Sequence, residues 1–119
     1  MYYKELEVWK EARKLVKEVY KLTSGFPKSE LFGLTSQINR SVISIPSNIA
    51  EGCARYSDKD TNKFIDIALG SIAELDTQLI IAQDLGFAIY DKNLISLVNK
   101  VTALLQGLKK YINTTLDNT

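Results

Sequence analysis

Lysines recur along the first predicted helix at a spacing suited to an anionic ligand. Steps of four, three and four residues place four of them on one side of a helix, with an arginine beside them. These residues are Lys10, Arg13, Lys14, Lys17 and Lys21. A row of cations facing away from the core could contact a phosphate backbone. Alternatively, the row is a solvated surface, because Glu7, Glu11 and Glu18 each precede a lysine by three residues and would neutralise it.

A second row, of polar side chains, runs along the second predicted helix. Its members are Gln37, Arg40, Ser44, Asn48, Glu51 and Arg55, with Ser41 and Ser47 beside them. The row borders an apolar stripe, so we expect it at a boundary between helices. One interpretation is structural: short polar side chains let helices approach, and Glu51 pairs with Arg55 four residues later. The other is that Arg40 and Arg55 contact a nucleic acid or order a subunit interface.

Histidine, the side chain best suited to proton transfer near neutral pH, is missing. The chain has no histidine, which excludes Ser-His-Asp and Cys-His nucleophile systems, histidine-ligated zinc and the Glu-x-x-His di-iron pattern. No glycine-rich phosphate loop occurs, and the hydroxyls of Thr35 and Ser71 have no base to activate them. A metal site on Glu51 and Glu74 is a third alternative, but it lacks further ligands. We therefore expect no enzyme activity: no catalytic residue, cofactor, metal or small-molecule substrate is evident.

Length and charge describe one small domain without a strong electrostatic field. The chain has 119 residues and a net charge of +1, so we expect a single domain over residues 1–119. Residues 1–63 hold 11 basic and 8 acidic side chains, against 4 and 6 in the remainder, so an anionic partner should meet the first half. The single cysteine, Cys53, cannot form an internal disulfide, and we expect it to be buried. The sequence shows neither a secretory signal nor an apolar run long enough to span a membrane, so we expect a cytoplasmic location.

Apolar residues keep a helical period between sparse prolines and glycines, which predicts an all-α chain. We expect four helices, at about 4–22, 29–53, 58–85 and 92–115. Short connections make successive helices run in opposite directions, so the predicted architecture is an antiparallel up-down-up-down four-helix bundle. The second and third helices should be the longest and should form its spine.

Individual residues predict how the helices end or bend. Gly25 should end the first helix in the left-handed conformation, and Gly86 should close the third helix. Pro46 should kink the second helix or break it briefly. Ser57 and Asp91 should cap the amino-terminal ends of the third and fourth helices.

Each predicted helix carries an apolar stripe for the shared core. The stripe of the first helix includes Tyr20, that of the second begins at Leu31, and that of the fourth ends at Leu116.

Two further patches of apolar or small residues lie off these stripes. They comprise Phe32, Ile43, Pro46 and Ala50 on the second helix, and Leu69, Gly70, Ala73, Thr77 and Ile80 on the third. One interpretation is a wide stripe that contacts both neighbouring helices. The other is a set of subunit contacts, which we favour because exposed Phe32 and Ile43 would otherwise be unexplained.

Several phrases of the sequence resemble one bacterial protein family. They are Leu-Glu-Val-Trp-Lys at 6–10, Phe-Pro at 26–27, Glu-Leu-Phe-Gly-Leu-Thr-Ser-Gln-Ile-Asn-Arg at 30–40, Ser-Ile-Pro-Ser-Asn-Ile-Ala-Glu-Gly at 44–52, Ala-Leu-Gly-Ser-Ile-Ala-Glu-Leu at 68–75 and Leu-Leu-Gln-Gly-Leu at 104–108. Together with Arg55 they span nearly the whole chain. The chain thus resembles the four-helix-bundle family named after proteins encoded in intervening sequences of 23S rRNA genes.

The resemblance implies an up-down-up-down bundle that assembles as a homopentameric barrel. It also implies kinship with the accessory protein of diversity-generating retroelements, which binds nucleic acid and a reverse transcriptase. The positions that match the family phrase are Arg40, Pro46, Asn48, Glu51, Gly52 and Arg55.

These observations lead to two hypotheses about function. The first is a non-enzymatic, cytoplasmic oligomer that binds RNA or an RNA–protein complex through the basic faces of the first two helices, including Lys10–Lys21, Arg40 and Arg55. The second is a structural or adaptor oligomer whose partner is another protein, with the lysine row only solvated. Both hypotheses use Phe32, Ile43, Ala50, Leu69, Ala73 and Ile80 as candidate oligomer contacts.

Overall fold

A computed structural model describes the backbone of residues 1–117 and the side chains of residues 1–114. This part of the chain is all-α and contains no β-strand. Its four α-helices are α1 (Glu7–Thr23), α2 (Leu34–Cys53), α3 (Asp58–Asp84) and α4 (Lys92–Asp117), and two short 3₁₀ turns occupy Tyr3–Glu5 and Lys28–Glu30. Within residues 1–117, every helix falls short of the length and apolar character that a membrane span needs.

The first helix is shorter than predicted at its amino-terminal end. It begins at Glu7, not Lys4, because the extended backbone of Leu6 separates it from the 3₁₀ turn. The predicted left-handed conformation at Gly25 is wrong, since Gly86 is the glycine with a positive φ in the described chain. Instead, α1 ends through a tightened turn in which the Gly25 N–H donates to the carbonyl of Leu22 over 3.2 Å.

The second helix also starts later than predicted, at Leu34 instead of Ser29. Residues 28–33 form the second 3₁₀ turn and a hydrogen-bonded turn, and the Glu30 carboxylate accepts a hydrogen bond from the Leu34 N–H at 3.3 Å. This contact satisfies one of the free donors at the start of α2. As a result Leu31 is exposed outside the helix, so its predicted place in the core is wrong.

Pro46 does not break α2, which is continuous from Leu34 to Cys53, so the predicted break is wrong. Proline removes one donor from the helix and crowds the preceding turn. Ile45 and Ile49, on either side of Pro46, have no exposed surface. Their packing against the neighbouring helices keeps the chain on a helical path despite the lost hydrogen bond.

The predicted boundaries of α3 and α4 are confirmed at three residues. Ser57 Oγ accepts a hydrogen bond from the Asp60 N–H at 3.1 Å, and Asp91 Oδ1 accepts one from the Leu94 N–H at 2.8 Å. Gly86 follows α3 with a φ of 79°. The longest helices are α3, with 27 residues, and α4, with 26, whereas α2 has 20, so the expectation that α2 would be among the longest is wrong.

The four helices enclose one core of buried aliphatic residues, and α1 packs on α2, α2 on α3, α3 on α4 and α4 on α1. Cys53 is buried in this core, as predicted. Tyr20 is exposed, so its predicted core position is wrong, and the side chain of Leu116 lies outside the described residues. The contacts between α2 and α3 pair Gly52 with Thr61, Ser44 with Ser71 and Ser41 with Glu74.

Candidate nucleic-acid interface

The basic row of α1 faces away from the core. Val8, Ala12, Leu15 and Val19 are buried on the opposite side of the helix and fix its rotation. The exposed residues of the row are Lys10, Arg13, Lys14, Lys17 and Lys21. The helix therefore presents all five cations together on one surface, as the spacing predicted.

Two of the three predicted ion pairs within α1 are present. Glu11 lies 3.1 Å from Lys14 Nζ, and Glu18 lies 3.5 Å from Lys21 Nζ. The predicted pair between Glu7 and Lys10 is wrong, because the Glu7 carboxylate lies 3.7 Å from Lys100 of α4 instead. A helical wheel of α1 alone could not predict this contact, because Lys100 lies on another helix.

Glu11 is a buried carboxylate that the sequence did not single out. Its residue is 7% exposed, and one carboxylate oxygen lies 3.1 Å from Lys14 Nζ and 3.2 Å from Lys100 Nζ. These hydrogen bonds, first from Lys14 and then from Lys100, lower the pKa of Glu11 below its ordinary value. Glu11 thus links α1 to α4 and partly neutralises the charge of Lys14.

Lys10, Arg13 and Lys17 have no carboxylate within 4.0 Å among the residues with described side chains. The guanidinium of Arg13 lies 4.9 Å from the centre of the Trp9 ring. A cation over an aromatic face keeps its charge while its position becomes restricted. These three residues are the uncompensated part of the basic row.

The polar row of α2 lies at the boundary with α3, as predicted. Ser44 Oγ is 2.8 Å from Ser71 Oγ, and Ser41 Oγ donates to the Glu74 carboxylate at 3.1 Å. Asn48 Nδ2 donates to the carbonyl and hydroxyl oxygens of Ser44, at 2.8 and 2.9 Å. The two serine contacts join the helices through short polar side chains, whereas the Asn48 bonds orient Ser44 within α2.

A polar cleft of about 380 Å³ opens along this boundary. It is lined by Gln37, Arg40, Ser41, Ser44, Ser71 and Glu74. Arg40 is exposed, and no carboxylate lies within 4.0 Å of it in the part of the chain with described side chains. The cleft therefore offers one free guanidinium next to three hydroxyl groups.

Arg55 is engaged more fully than Arg40. Its guanidinium donates to Glu51 at 2.9 Å, as the four-residue spacing predicted, and lies 4.6 Å from the centre of the Phe64 ring. Glu51 is thereby committed to Arg55, while Glu74 accepts from Ser41 and Gln78.

The possible metal site on Glu51 and Glu74 is wrong. Glu74 lies beside Ser41, which is ten positions before Glu51 on α2, or about 15 Å along the helix axis. Among the described residues, no group of three or more metal-ligating side chains comes together.

The candidate oligomer contacts are only partly exposed. Ile43, Ala73 and Ile80 are exposed, whereas Ala50 and Leu69 are half-buried. Phe32 is 94% exposed, but it precedes α2 and so does not share a helical face with Ile43, Pro46 and Ala50 as predicted.

Two exposed isoleucines on α3, Ile67 and Ile81, were not predicted from the sequence; they lie on the outer surface of that helix with Gly70, Ala73 and Thr77. A helical wheel that includes every large apolar residue shows this face. Tyr56, which is fully exposed in the connection between α2 and α3, was not predicted either. That residue has no periodic signal because it lies outside a helix.

Comparisons with known proteins show the family to which this chain belongs. A search of the curated proteins finds no match. The family model described as 23S rRNA-intervening sequence protein matches residues 4–110. This match includes the basic row of α1, the polar row of α2 and most of α4. Because it covers far more than half of the sequence, the chain belongs to the 23S rRNA-intervening sequence protein family.

Proposed function

We propose that this protein is a non-enzymatic, cytoplasmic oligomer that binds RNA or an RNA–protein complex through the basic faces of α1 and α2. The observation that carries the proposal is the exposure of Lys10, Arg13 and Lys17 without a carboxylate partner among the described side chains. Lys14, Lys21, Arg40 and Arg55 extend this surface. Cations of this kind contact phosphate oxygens, which supply most sequence-independent affinity for nucleic acids.

The proposed subunit is an antiparallel up-down-up-down bundle that assembles as a homopentamer. The order of contacts supports the antiparallel direction of α2 and α3, since positions fall from Gly52 to Ser41 while their partners rise from Thr61 to Glu74. Exposed apolar side chains such as Phe32, Ile43 and Ile80 support an assembly, because subunit contact would remove them from water.

A net charge of +1 attracts RNA only weakly, and assembly would compensate for this weakness. A few lysines give only weak attraction in one subunit at physiological salt. Several copies held together present the same surface repeatedly, and the second and later contacts then form within one complex at high effective concentration.

The test compares two triple variants that change the charge equally. One replaces Lys10, Lys17 and Lys21 with Glu on the proposed surface, and the other replaces Lys28, Lys92 and Lys110 with Glu elsewhere. Fluorescence anisotropy with a labelled, structured fragment of 23S rRNA is measured from 50 to 300 mM salt. We expect the first variant to lose at least about tenfold in affinity and to have a flatter salt dependence, because each lost phosphate contact lowers the slope by about 0.7–0.9.

The control variant should bind almost as the unmodified protein does. Equal weakening by both triple variants would mean that only net charge matters and would reject a specific surface on α1. A wild-type affinity that does not change with salt would reject phosphate contacts altogether. Far-UV circular dichroism of both variants is the check that they remain folded.

The second candidate function is that of an adaptor that binds a protein partner, and the exposed face of α3 favours it. Ile67, Ile80 and Ile81 are each between 42% and 50% exposed on that helix, with Gly70 and Ala73 among them. Retained oligomeric state and binding of a protein partner, together with absence of RNA binding, would support this alternative.

A further inference from the structure

Aromatic side chains gather at the end of the bundle where α1 begins. The rings of Tyr2 and Tyr3 lie 6.1 Å apart, and those of Tyr3 and Trp9 lie 5.3 Å apart, both in edge-to-face geometry. Arg13 lies over the Trp9 ring and connects this cluster with the basic row of α1. Tyr2 is 58% exposed and so presents most of its ring to water.

Tyr56 belongs to the same end of the molecule. The amino-terminal 3₁₀ turn contacts both α1 and α2. Thr23 at the end of α1 donates a hydrogen bond to Asn39 near the beginning of α2 at 2.9 Å, so the start of α1 lies towards the end of α2 at Cys53. Tyr56 follows Cys53 by three residues, so their Cα atoms are at most about 11 Å apart. We name Tyr2, Tyr3, Trp9 and Tyr56 the aromatic end.

Tyr56 has no packing role in the described subunit. Its side chain is fully exposed, and the connection that carries it, residues 54–57, is exposed throughout. A tyrosine ring has a large apolar surface, and such rings are usually at least partly covered. Uncovered rings such as those of Tyr2 and Tyr56 are suited to contact with another flat, apolar surface.

The charges around the aromatic end allow an anionic chain to approach. Lys4 and Lys59 are exposed, and neither has a carboxylate within 4.0 Å among residues 1–114. Lys10 and Arg13 continue this positive surface along α1. Among residues 1–114, the acidic groups closest in sequence to the aromatic end are Glu5, Glu7, Glu51, Asp58 and Asp60. Glu7, Glu51 and Asp60 lie within ion-pair distance of Lys100, Arg55 and Lys63, which partly neutralise them.

We infer that Tyr2 and Tyr56 stack on unpaired bases, so that the RNA bound at this end of the bundle is single-stranded. This inference rests on the proposed function and specifies its ligand. Every nucleobase has a flat face that can stack on an aromatic ring, while lysines beside the ring contact the phosphates. In a duplex the base faces are already covered by their neighbours, so a double helix offers the tyrosines no such surface.

The test uses three labelled ligands of the same length. They are a 12-nucleotide RNA without self-complementarity, the same strand annealed to its complement, and an abasic ribose-phosphate strand of 12 units. The abasic strand has the backbone charge of the single strand but no bases. We expect the single strand to bind at least about fivefold more tightly than either of the others.

Trp9 gives a second, independent signal. It is the single tryptophan of the chain, and it contacts the ring of Tyr3 at the aromatic end. Bases stacked there should quench or shift the Trp9 emission, whereas the abasic strand should leave it nearly unchanged.

Variants of the tyrosines separate stacking from general effects. Tyr2→Ala and Tyr56→Ala should each weaken single-strand binding by at least about fivefold. Tyr56→Phe retains the ring and should bind as the unmodified protein does. Ile89→Ala is the control, because it removes a large exposed apolar side chain from the connection before α4, outside both the proposed RNA surface and the candidate oligomer contacts.

The outcomes distinguish this inference from the proposed function. Equal affinity for the single strand and the abasic strand, or unchanged binding by both tyrosine-to-alanine variants, would overturn stacking while lysine-dependent binding of RNA still supported the proposed function. A preference for the duplex would have the same meaning. Absence of lysine-dependent binding to any of the three ligands, and to the rRNA fragment, would reject both.

Discussion

Gly52 of α2 and Thr61 of α3 are joined at a close contact between the two helices. Thr61 Oγ1 donates a hydrogen bond to the backbone carbonyl of Gly52 at 2.7 Å, and both residues are buried. A Cβ atom at position 52 would lie 2.9 Å from the Cβ of Phe64 and 3.2 Å from the Thr61 carbonyl oxygen. The glycine of the family phrase therefore has a packing role: it lets the start of α3 lie against the end of α2.

The first prediction is that Gly52→Ala destabilises the subunit. The added methyl group would meet the Phe64 Cβ and the Thr61 backbone, which cannot move as the end of a flexible side chain can. Overpacking of this kind typically lowers the free energy of unfolding by about 1–3 kcal/mol. Urea denaturation followed by circular dichroism measures the change.

Gly70→Ala is the matched control for this prediction. Gly70 is exposed within α3, and no atom lies within 4 Å of a Cβ built there. Alanine is favoured over glycine inside a helix, so this variant should gain about 0.5–1 kcal/mol. A loss of stability in Gly70→Ala equal to that in Gly52→Ala would show that close packing at Gly52 is not the cause.

The second prediction concerns the stability of the protein at acidic pH. The hydrogen bonds from Lys14 and Lys100 lower the pKa of Glu11 in the folded protein below its ordinary value of 4.5. A group with a lowered folded-state pKa stabilises the protein above its unfolded-state pKa, and that contribution is lost as the pH falls through the folded-state pKa. The melting temperature of the unmodified protein should therefore fall below about pH 4.5, and Glu11→Gln should flatten this decline.

Glu18→Gln provides the comparison for the acid profile. Glu18 also pairs with a lysine of α1, but both side chains of that pair are largely exposed. Exposed ion pairs contribute little to stability. The acid profile of Glu18→Gln should follow that of the unmodified protein, and an equally flattened profile would contradict a special role for Glu11.

The parts of the fold that the sequence predicted depend on chemistry between near neighbours. Ser57 caps a backbone N–H three residues away, and Asp91 does the same. Gly86 takes a left-handed conformation that depends mainly on its own lack of a side chain. The five cations of α1 were likewise predictable, because four-residue and three-residue steps fix a helical surface without knowledge of the other helices.

Some of the incorrect predictions involve contacts between distant parts of the chain. Glu7 pairs with Lys100 of α4 instead of with Lys10, and the sequence of α1 alone could not predict this contact. The polar boundary was expected, but Ser44 finds its partner in Ser71, which is 27 positions away. Pro46 lies inside a continuous helix because tertiary packing outweighs its local cost.

The third prediction concerns Tyr90, whose hydroxyl donates to Asp76 of α3 at 2.8 Å. Tyr90 is buried in the connection before α4, and burial, followed by the bond to Asp76, raises its pKa above the usual range for tyrosine. Tyr90→Phe should lower the free energy of unfolding by about 1–2 kcal/mol, because Asp76 loses its donor while the ring packing stays.

Absorbance near 295 nm provides a direct check on Tyr90. In the folded protein Tyr90 should stay protonated through the pH range in which a tyrosine of ordinary pKa ionises, so Tyr90→Phe should leave the native titration curve unchanged up to the pH at which the protein unfolds. Loss of one titrating group from that native curve in Tyr90→Phe would contradict a buried phenol bonded to Asp76.

The final prediction is that Pro46→Ala stabilises the subunit. Because α2 is already continuous through Pro46, alanine can supply the missing backbone donor within the existing helix. Proline is about 3 kcal/mol less favourable than alanine inside a helix, which sets the upper limit of the gain. Thermal unfolding measures the stability, and light scattering after size-exclusion chromatography measures the mass, which would be about 67 kDa for five copies of the 13.4 kDa chain.

An unchanged mass with a higher melting temperature would mean that Pro46 destabilises α2 locally and has no role in assembly. A smaller mass would instead make the proline a determinant of assembly, and a lower melting temperature would contradict the prediction by showing that its ring provides packing that alanine cannot replace.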